Sequence, residues 1–201
     1  ARRIKAYLSD GAADGGILAG LSSAIITDKA LEDAINSAVL SETEIADDAS
    51  ADLAAIRRKI KRLHAKIKDS LNMMIRSETY KKYLQDPIVT IRSDRYVIPV
   101  RSEYRGEIAG IVHDSSQSGA TLFIEPMSVV NANNEIRDLV NKEQVEIEKI
   151  LMKLSSLVSE SSSIVLGNLD IVLRLDFIFC KAKLARSQKA TEPKINTDGI
   201  I

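Results

Sequence analysis

Tryptophan is absent from this sequence, cysteine occurs once and proline four times in 201 residues. Each shortage excludes something. A lone cysteine, Cys180, forms no internal disulfide, and its place in the apolar run Asp176-Phe-Ile-Phe-Cys180 marks it as a buried core thiol, not a nucleophile. Two histidines, His64 and His113, have no ligand-like spacing to each other or to that cysteine, and His64 lies in a basic stretch where solvation is expected. The acidic loop of Glu42, Glu44, Asp47 and Asp48 lacks the calcium-loop pattern. Gly-x-x-x-x-Gly-Lys-Ser/Thr occurs nowhere, so no P-loop is present. Apolar runs stay short of the ~18–20 residues a membrane span needs, and no signal peptide opens the chain; a reducing cytoplasm is expected. Acids and bases balance at 28 each, so overall charge names no partner.

One segment holds all three residue types of a hydrolase triad, His113-Asp-Ser-Ser116. Adjacent strand residues point to opposite faces, so His113 and Asp114 do not form a base–orienter pair. A structural histidine at a strand end is expected, and no catalytic residue is assigned.

The prolines sit at 87, 99, 126 and 193, leaving 1–86 and 127–192 free of them. That distribution divides the chain into helix, β structure and helix. Residues 1–49 read as short core helices, with Asp10-Gly-Ala-Ala-Asp-Gly-Gly16 as a breaker and a helix over 28–40 capped by Thr27 or Asp28. Residues 50–83 read as one long helix, capped by Ser50 or Asp52, with Leu53, Ile56, Ile60, Leu63, Ile67, Leu71 and Met74 at near-heptad spacing. Residues 128–160 mirror it through Ile136, Val140, Ile147, Ile150, Leu154 and Leu157, with Glu143 at the one polar seam position. From about 163 to 188 apolar residues cover more than one face, which predicts burial in a helical core. Residues 84–127 change period: four short strands, 88–92, 95–101, 108–115 and 121–125, separated by polar breaks. The fold class is therefore mainly α with a small antiparallel β module. Two helices of similar length, about 50 Å each, form an antiparallel hairpin with the four-stranded module at its tip. The first residue is Ala1, and Asp198-Gly-Ile-Ile201 stops as an apolar run begins, so the chain reads as a piece of a larger protein.

Charge is uneven along the chain. Residues 49–82 carry ten basic and three acidic side chains, a net of +7; 128–160 carry four and six, a net of −2. Arg57, Arg58, Lys61 and Arg62 head the basic run and are candidates for holding phosphate backbone. The competing expectation pairs these flanking charges with Glu143, Glu146 and Glu148 across the helical seam.

Specific stretches then carry a resemblance: Tyr83-Leu-Gln-Asp-Pro-Ile-Val-Thr-Ile-Arg92, Arg95-Tyr-Val-Ile-Pro-Val-Arg-Ser-Glu-Tyr-Arg-Gly106, Gly110-Ile-Val-His-Asp114 and Ser118-Gly-Ala-Thr-Leu-Phe-Ile-Glu-Pro126, followed by Asn133-Asn-Glu-Ile-Arg137 and Leu175-Asp-Phe-Ile-Phe179. From about residue 28 to the end the chain resembles the second branch of the bacterial MutS family, which ends in an Smr endonuclease domain. It departs from that pattern at the Ser93-Asp94 turn. The resemblance implies lever helices at 50–83 and 128–160, a clamp between them, and helical core at 161–201 leading to an ATPase domain. It further implies a longer protein that is a homodimer, binds ATP and Mg2+, grips branched or duplex DNA and restrains recombination; this chain itself would carry no cofactor. The second branch lacks the mismatch-reading domain. An alternative implied partner is the stalled or collided ribosome and its rRNA, and a third reading is a plain dimerising coiled coil. Strand order places the 93–94 and 116–119 turns at the tip, with Arg92, Ser93, Arg95, Ser116, Gln117 and Ser118 as phosphate-contact candidates. The β module's own net charge of −2 over 83–127 predicts modest affinity.

Overall fold

The computed structural model describes residues 1–11 and 16–191. Most of the glycine-containing breaker and the closing segment with Pro193 lie outside the described residues. The chain forms two compact units, residues 1–35 with the chain from 153 onward, and residues 36–152.

In the first unit, α1 (Arg2–Gly11) and α2 (Ile17–Ala24) pack with α7 (Ser162–Gln188) around Leu8, Ile25 and Leu175. Asp28 caps α3 (Lys29–Ala38): its carboxylate accepts the Leu31 N–H at 2.9 Å and the Ser161 hydroxyl at 2.9 Å. Those bonds, the Leu31 amide first, hold its pKa below the usual carboxylate range. The Asn168 side chain closes the unit by bonding both the N–H and C=O of Ile26, at 3.0 and 2.7 Å. The expected burial of α7 fails here. Only the side bearing Leu175 and Ile171 meets α1 and α2, so Leu166, Leu169, Leu173, Phe177 and Leu184 stay exposed, and Cys180 with them. Among the described residues, the apolar run around Cys180 stands on a face that this unit leaves bare.

The second unit opens with a hairpin the sequence did not announce, β1 (Val39–Ser41) against β2 (Glu44–Ile45). Strands this short have no period to read. Ser50 then caps α4 (Ala51–Arg76), accepting from the Leu53 N–H at 3.0 Å. The helix expected over 50–83 ends instead at Ser77, which is extended, and a single further turn follows as α5 (Glu78–Lys81). The chain leaves the helix because residues 83–85 are needed as strand: Leu84 bridges Val100, with Arg101 N–H bonded to Tyr83 O and Gln85 N–H to Pro99 O, both at 3.0 Å.

Four antiparallel strands follow: β3 (Thr90–Arg92), β4 (Arg95–Arg101), β5 (Gly110–Ser115) and β6 (Thr121–Pro126), in the order β3-β4-β6-β5. Residues 102–107, a polar break between strands in the sequence, form 3-10 turns. Alternation along the strands turns Tyr96, Ile98, Val100, Leu122 and Ile124 to one side. There they meet Ile67, Leu71 and Ile75 of α4 and Val129 and Ile136 of α6 (Met127–Glu160). Each fully buried Leu or Ile contributes about 1.5–3 kcal/mol. Gly110, paired with Pro126, has no room for a side chain: a Cβ would collide with the Glu125 carbonyl oxygen and stand 2.5 Å from Ile124 Cγ2.

Within this unit α4 and α6 run antiparallel. Ser50 hydroxyl donates to Glu146 at 2.8 Å, Arg57 to Glu143 at 2.7 Å, and Lys59 pairs with Glu135 at 2.5 Å. Glu143, the polar seam position, is thus an inter-helix anchor.

Candidate nucleic-acid interface

One buried carboxylate joins the β module to α6 beside their shared apolar core. Glu125, near the end of β6, is fully buried, and every partner it has is polar. Arg95 reaches both of its oxygens, at 2.9 and 3.0 Å; Asn133 Nδ2 donates to Oε1 at 2.6 Å; His113 Nε2 lies 2.5 Å from Oε2. Asn133 is itself buried and also engages the backbone N–H and C=O of Tyr96, both at 3.4 Å. His113 reaches Glu125 because the β5–β6 register shifts between Val112 and Asp114, swinging the histidine out of the regular ladder. The structural role expected of His113 is this contact.

Register decides where the candidate residues lie. Arg101 pairs with Thr121 and Ile98 with Ile124, so the start of β4 lies beside the end of β6. The 93–94 turn precedes β4 and the 116–119 turn precedes β6. The two turns therefore occupy opposite ends of the sheet, roughly 20 Å apart over a seven-residue strand. The expectation that both crown the tip is corrected: antiparallel pairing of β4 with β6 forbids it. The 93–94 turn folds back beside α6, lining a cleft of about 690 Å³ with Arg137 and Asn141. The 116–119 turn lies at the distal end, where Ser102 N–H bonds Ala120 O at 3.0 Å.

The side chains sort accordingly. Arg95 is drawn onto Glu125, and its second guanidinium nitrogen donates to Asn134 at 2.7 Å. Arg92 lies over the Phe123 ring at 4.3 Å and 3.4 Å from Asp114. Ser93 is exposed in the proximal turn. Gln117 and Ser118 are exposed and Ser116 half-buried in the distal turn, where Ser116 and Ser118 share a 3.4 Å contact. Arg101 and Arg105, absent from the sequence candidates, are exposed at that same distal end and form no ion pair among the described residues. Nothing in the local sequence separates them from other strand-flanking arginines; the register does.

The basic run is split by its partners. Arg57 is held by Glu143, by Asp47 at 2.6 Å and by the Ile45 carbonyl at 2.8 Å, and Lys61 pairs with Asp47 at 3.0 Å. Lys61 and then Arg57 keep Asp47 below the usual carboxylate range, as Lys59 does Glu135. Arg58 and Arg62 are exposed and unpaired among the described residues. Glu143 takes the cross-seam role expected of it, while Glu146 bonds Ser50 and its neighbour Lys149 instead. His64 departs from the solvated role expected of it: Nδ1 lies 2.8 Å from the Tyr96 hydroxyl. Burial, then the nearby Lys68 charge, lowers its pKa. Burial raises that of Tyr96. Among the described residues no His, Cys, Asp and Glu cluster suits a metal, and no helix is long and apolar enough to cross a membrane.

No family model matches the chain. Curated relatives do, along its whole length. The chain is 51% identical over 207 residues to the endonuclease MutS2 of Ruminiclostridium cellulolyticum, covering 100% of this chain and 26% of that protein. It is 50% identical over 203 residues to the endonuclease MutS2 of Clostridium acetobutylicum, with the same coverage. The chain belongs to the MutS2 family. It spans about a quarter of the length of these curated relatives. The endonuclease MutS2 of Clostridioides difficile is 50% identical over 185 residues, 92% of this chain and 23% of its own. All four residues of the buried net, Arg95, His113, Glu125 and Asn133, fall inside the stretches that carry the MutS2 resemblance.

Proposed function

We propose that this chain is the lever and clamp region of a MutS2-type DNA-binding ATPase, and that the distal end of its sheet rests on nucleic-acid backbone. One observation carries the reading. The sheet is pinned to α6 at its proximal end by Glu125, while its opposite end presents Arg101, Arg105, Ser116, Gln117 and Ser118 with no ion pair among the described residues. Guanidinium, hydroxyl and carboxamide groups of that kind hold phosphate without reading bases. The proximal candidates Arg92 and Arg95 contribute by shaping the module, since both cations are already engaged.

In the longer protein the α4–α6 pair would carry a rigid-body movement between an ATP- and Mg2+-dependent domain and the clamp. Two protomers would enclose branched or duplex DNA, consistent with restraint of recombination. The endonuclease activity in the relatives' name would belong to parts beyond this chain, which performs no chemistry itself.

The test uses the full-length protein, titrated with four-way-junction DNA and with stalled ribosomes, before and after R101A/R105A. The expected result is weaker junction binding and a salt dependence shallower by about two. Unchanged DNA affinity with lost ribosome binding would overturn the DNA reading in favour of the ribosome.

A further inference from the structure

α4 has a second, separate feature. Its buried seam runs through Leu53, Ile67, Leu71 and Ile75. At about 100° per residue, Arg58, Arg62, Lys66 and Arg76 fall within a sector of about 80° on the opposite side. All four are exposed, and none has an ion pair or side-chain hydrogen bond among the described residues. Lys66 senses Glu135 only at long range, because Lys59 already occupies that carboxylate. One acid, Asp69, and one exposed apolar side chain, Met73, share the face; exposed Ala55 and Ala65 keep its first half low.

The neighbouring cations behave differently. Arg57, Lys59 and Lys61 are all neutralised by Glu143, Glu135 and Asp47. The fold therefore separates one basic run into a paired flank and an unpaired back. Like charges at i, i+4 repel, so the row Arg58–Arg62–Lys66 weakens the isolated helix.

We infer that this back face of α4 binds the phosphate backbone of B-form duplex DNA, as a surface distinct from the distal end of the sheet. The inference deepens the nucleic-acid reading above and uses none of its residues. Three cations about 6 Å apart follow successive phosphates of one strand. Arg76 lies about 15 Å beyond Lys66 along the same helix and extends the row to a further backbone phosphate. An A-form RNA duplex presents its phosphates around a deep, narrow major groove and a wide, shallow minor groove, a different arrangement from B-form DNA.

The experiment titrates this chain with a fluorescent B-form duplex at several salt concentrations from about 50 mM upward. The variants are R58A/R62A/K66A/R76A, the charge-keeping R58K/R62K/R76K, and R101A/R105A. Circular dichroism confirms that each folds, and all four altered side chains are exposed. The quadruple variant should bind at least about tenfold more weakly at low salt, with a salt slope shallower by about three to four; the lysine variant should keep the slope. Unchanged slope and affinity in the quadruple variant overturn the inference. So does equal binding of an A-form RNA duplex, or binding of polyglutamate without duplex DNA, which would assign the face to an acidic protein. Loss in the quadruple variant with R101A/R105A unaffected supports this surface and sinks the distal-end reading; the reverse pattern does the opposite.

Discussion

The Glu125 carboxylate and the Asn133 carboxamide meet at 2.6 Å, with 0% and 3% of their residues exposed. They are eight residues apart, one near the end of β6 and the other two turns into α6. Their bond therefore fixes the angle at which the helix leaves the sheet. Arg95 and His113 complete the carboxylate's partners from β4 and β5, so a single side chain ties three strands and a helix together.

Removing that carboxylate should be costly. Glu125→Ala strips the half-buried Arg95 cation of its carboxylate and leaves buried Asn133 without its acceptor, and a loss of about 3–5 kcal/mol is expected from urea unfolding. Asn133→Ala should cost about 1–3 kcal/mol. Because the two share one network, the double variant should depart from additivity by more than about 0.5 kcal/mol; strict additivity would mean that the bond does not couple helix to sheet.

The 93–94 turn should be improvable. Ser93 and Asp94 lie at φ 49° and 60°, the left-handed pair that a two-residue hairpin loop demands and that Asn-Gly meets with less strain. S93N/D94G should raise stability by about 1 kcal/mol, read from the denaturant midpoint at unchanged slope. A drop in the midpoint would contradict the turn geometry.

Acid should loosen the α4–β4 contact through His64. Its folded pKa lies below the ordinary histidine value of about 6.5 because burial, then Lys68, disfavours the cation. As pH falls below about 6.5, the unfolded chain binds a proton that the folded chain does not, and stability declines until the folded pKa is reached. In His64→Gln the slope of unfolding free energy against pH between about 6.5 and 5 should flatten. An identical slope in both proteins would remove His64 from the acid response.

Much of this architecture was legible because it is periodic. The α6 and α7 spans, the four strands of the β module and the Ser50 cap follow from seam spacing, alternation and a capping serine. What escaped is what depends on partners distant in sequence. Ser77 interrupts a good helical pattern because Tyr83–Gln85 pair with β4. α7 looks like core because its apolar residues surround it, yet α1 and α2 cover one side only. Hairpins read as out-and-back excursions put both turns at one tip; the β4–β6 register sends them to opposite ends. Glu125 carries no local mark of burial, and only the arrival of Arg95, His113 and Asn133 explains a carboxylate there. Arg101 and Arg105 likewise gain meaning only from their place beside the distal turn.

The most direct measurement is a backbone amide NMR titration of this chain with a short B-form DNA duplex at low salt. Shifts are expected at Arg101–Glu107 and Ser116–Ala120, with a second set around Arg58, Arg62, Lys66 and Arg76, while Glu125 and Asn133 stay silent. Shifts confined to Thr90–Tyr96, or no shifts at all, would contradict a sheet that is pinned at one end and grips nucleic acid with the other.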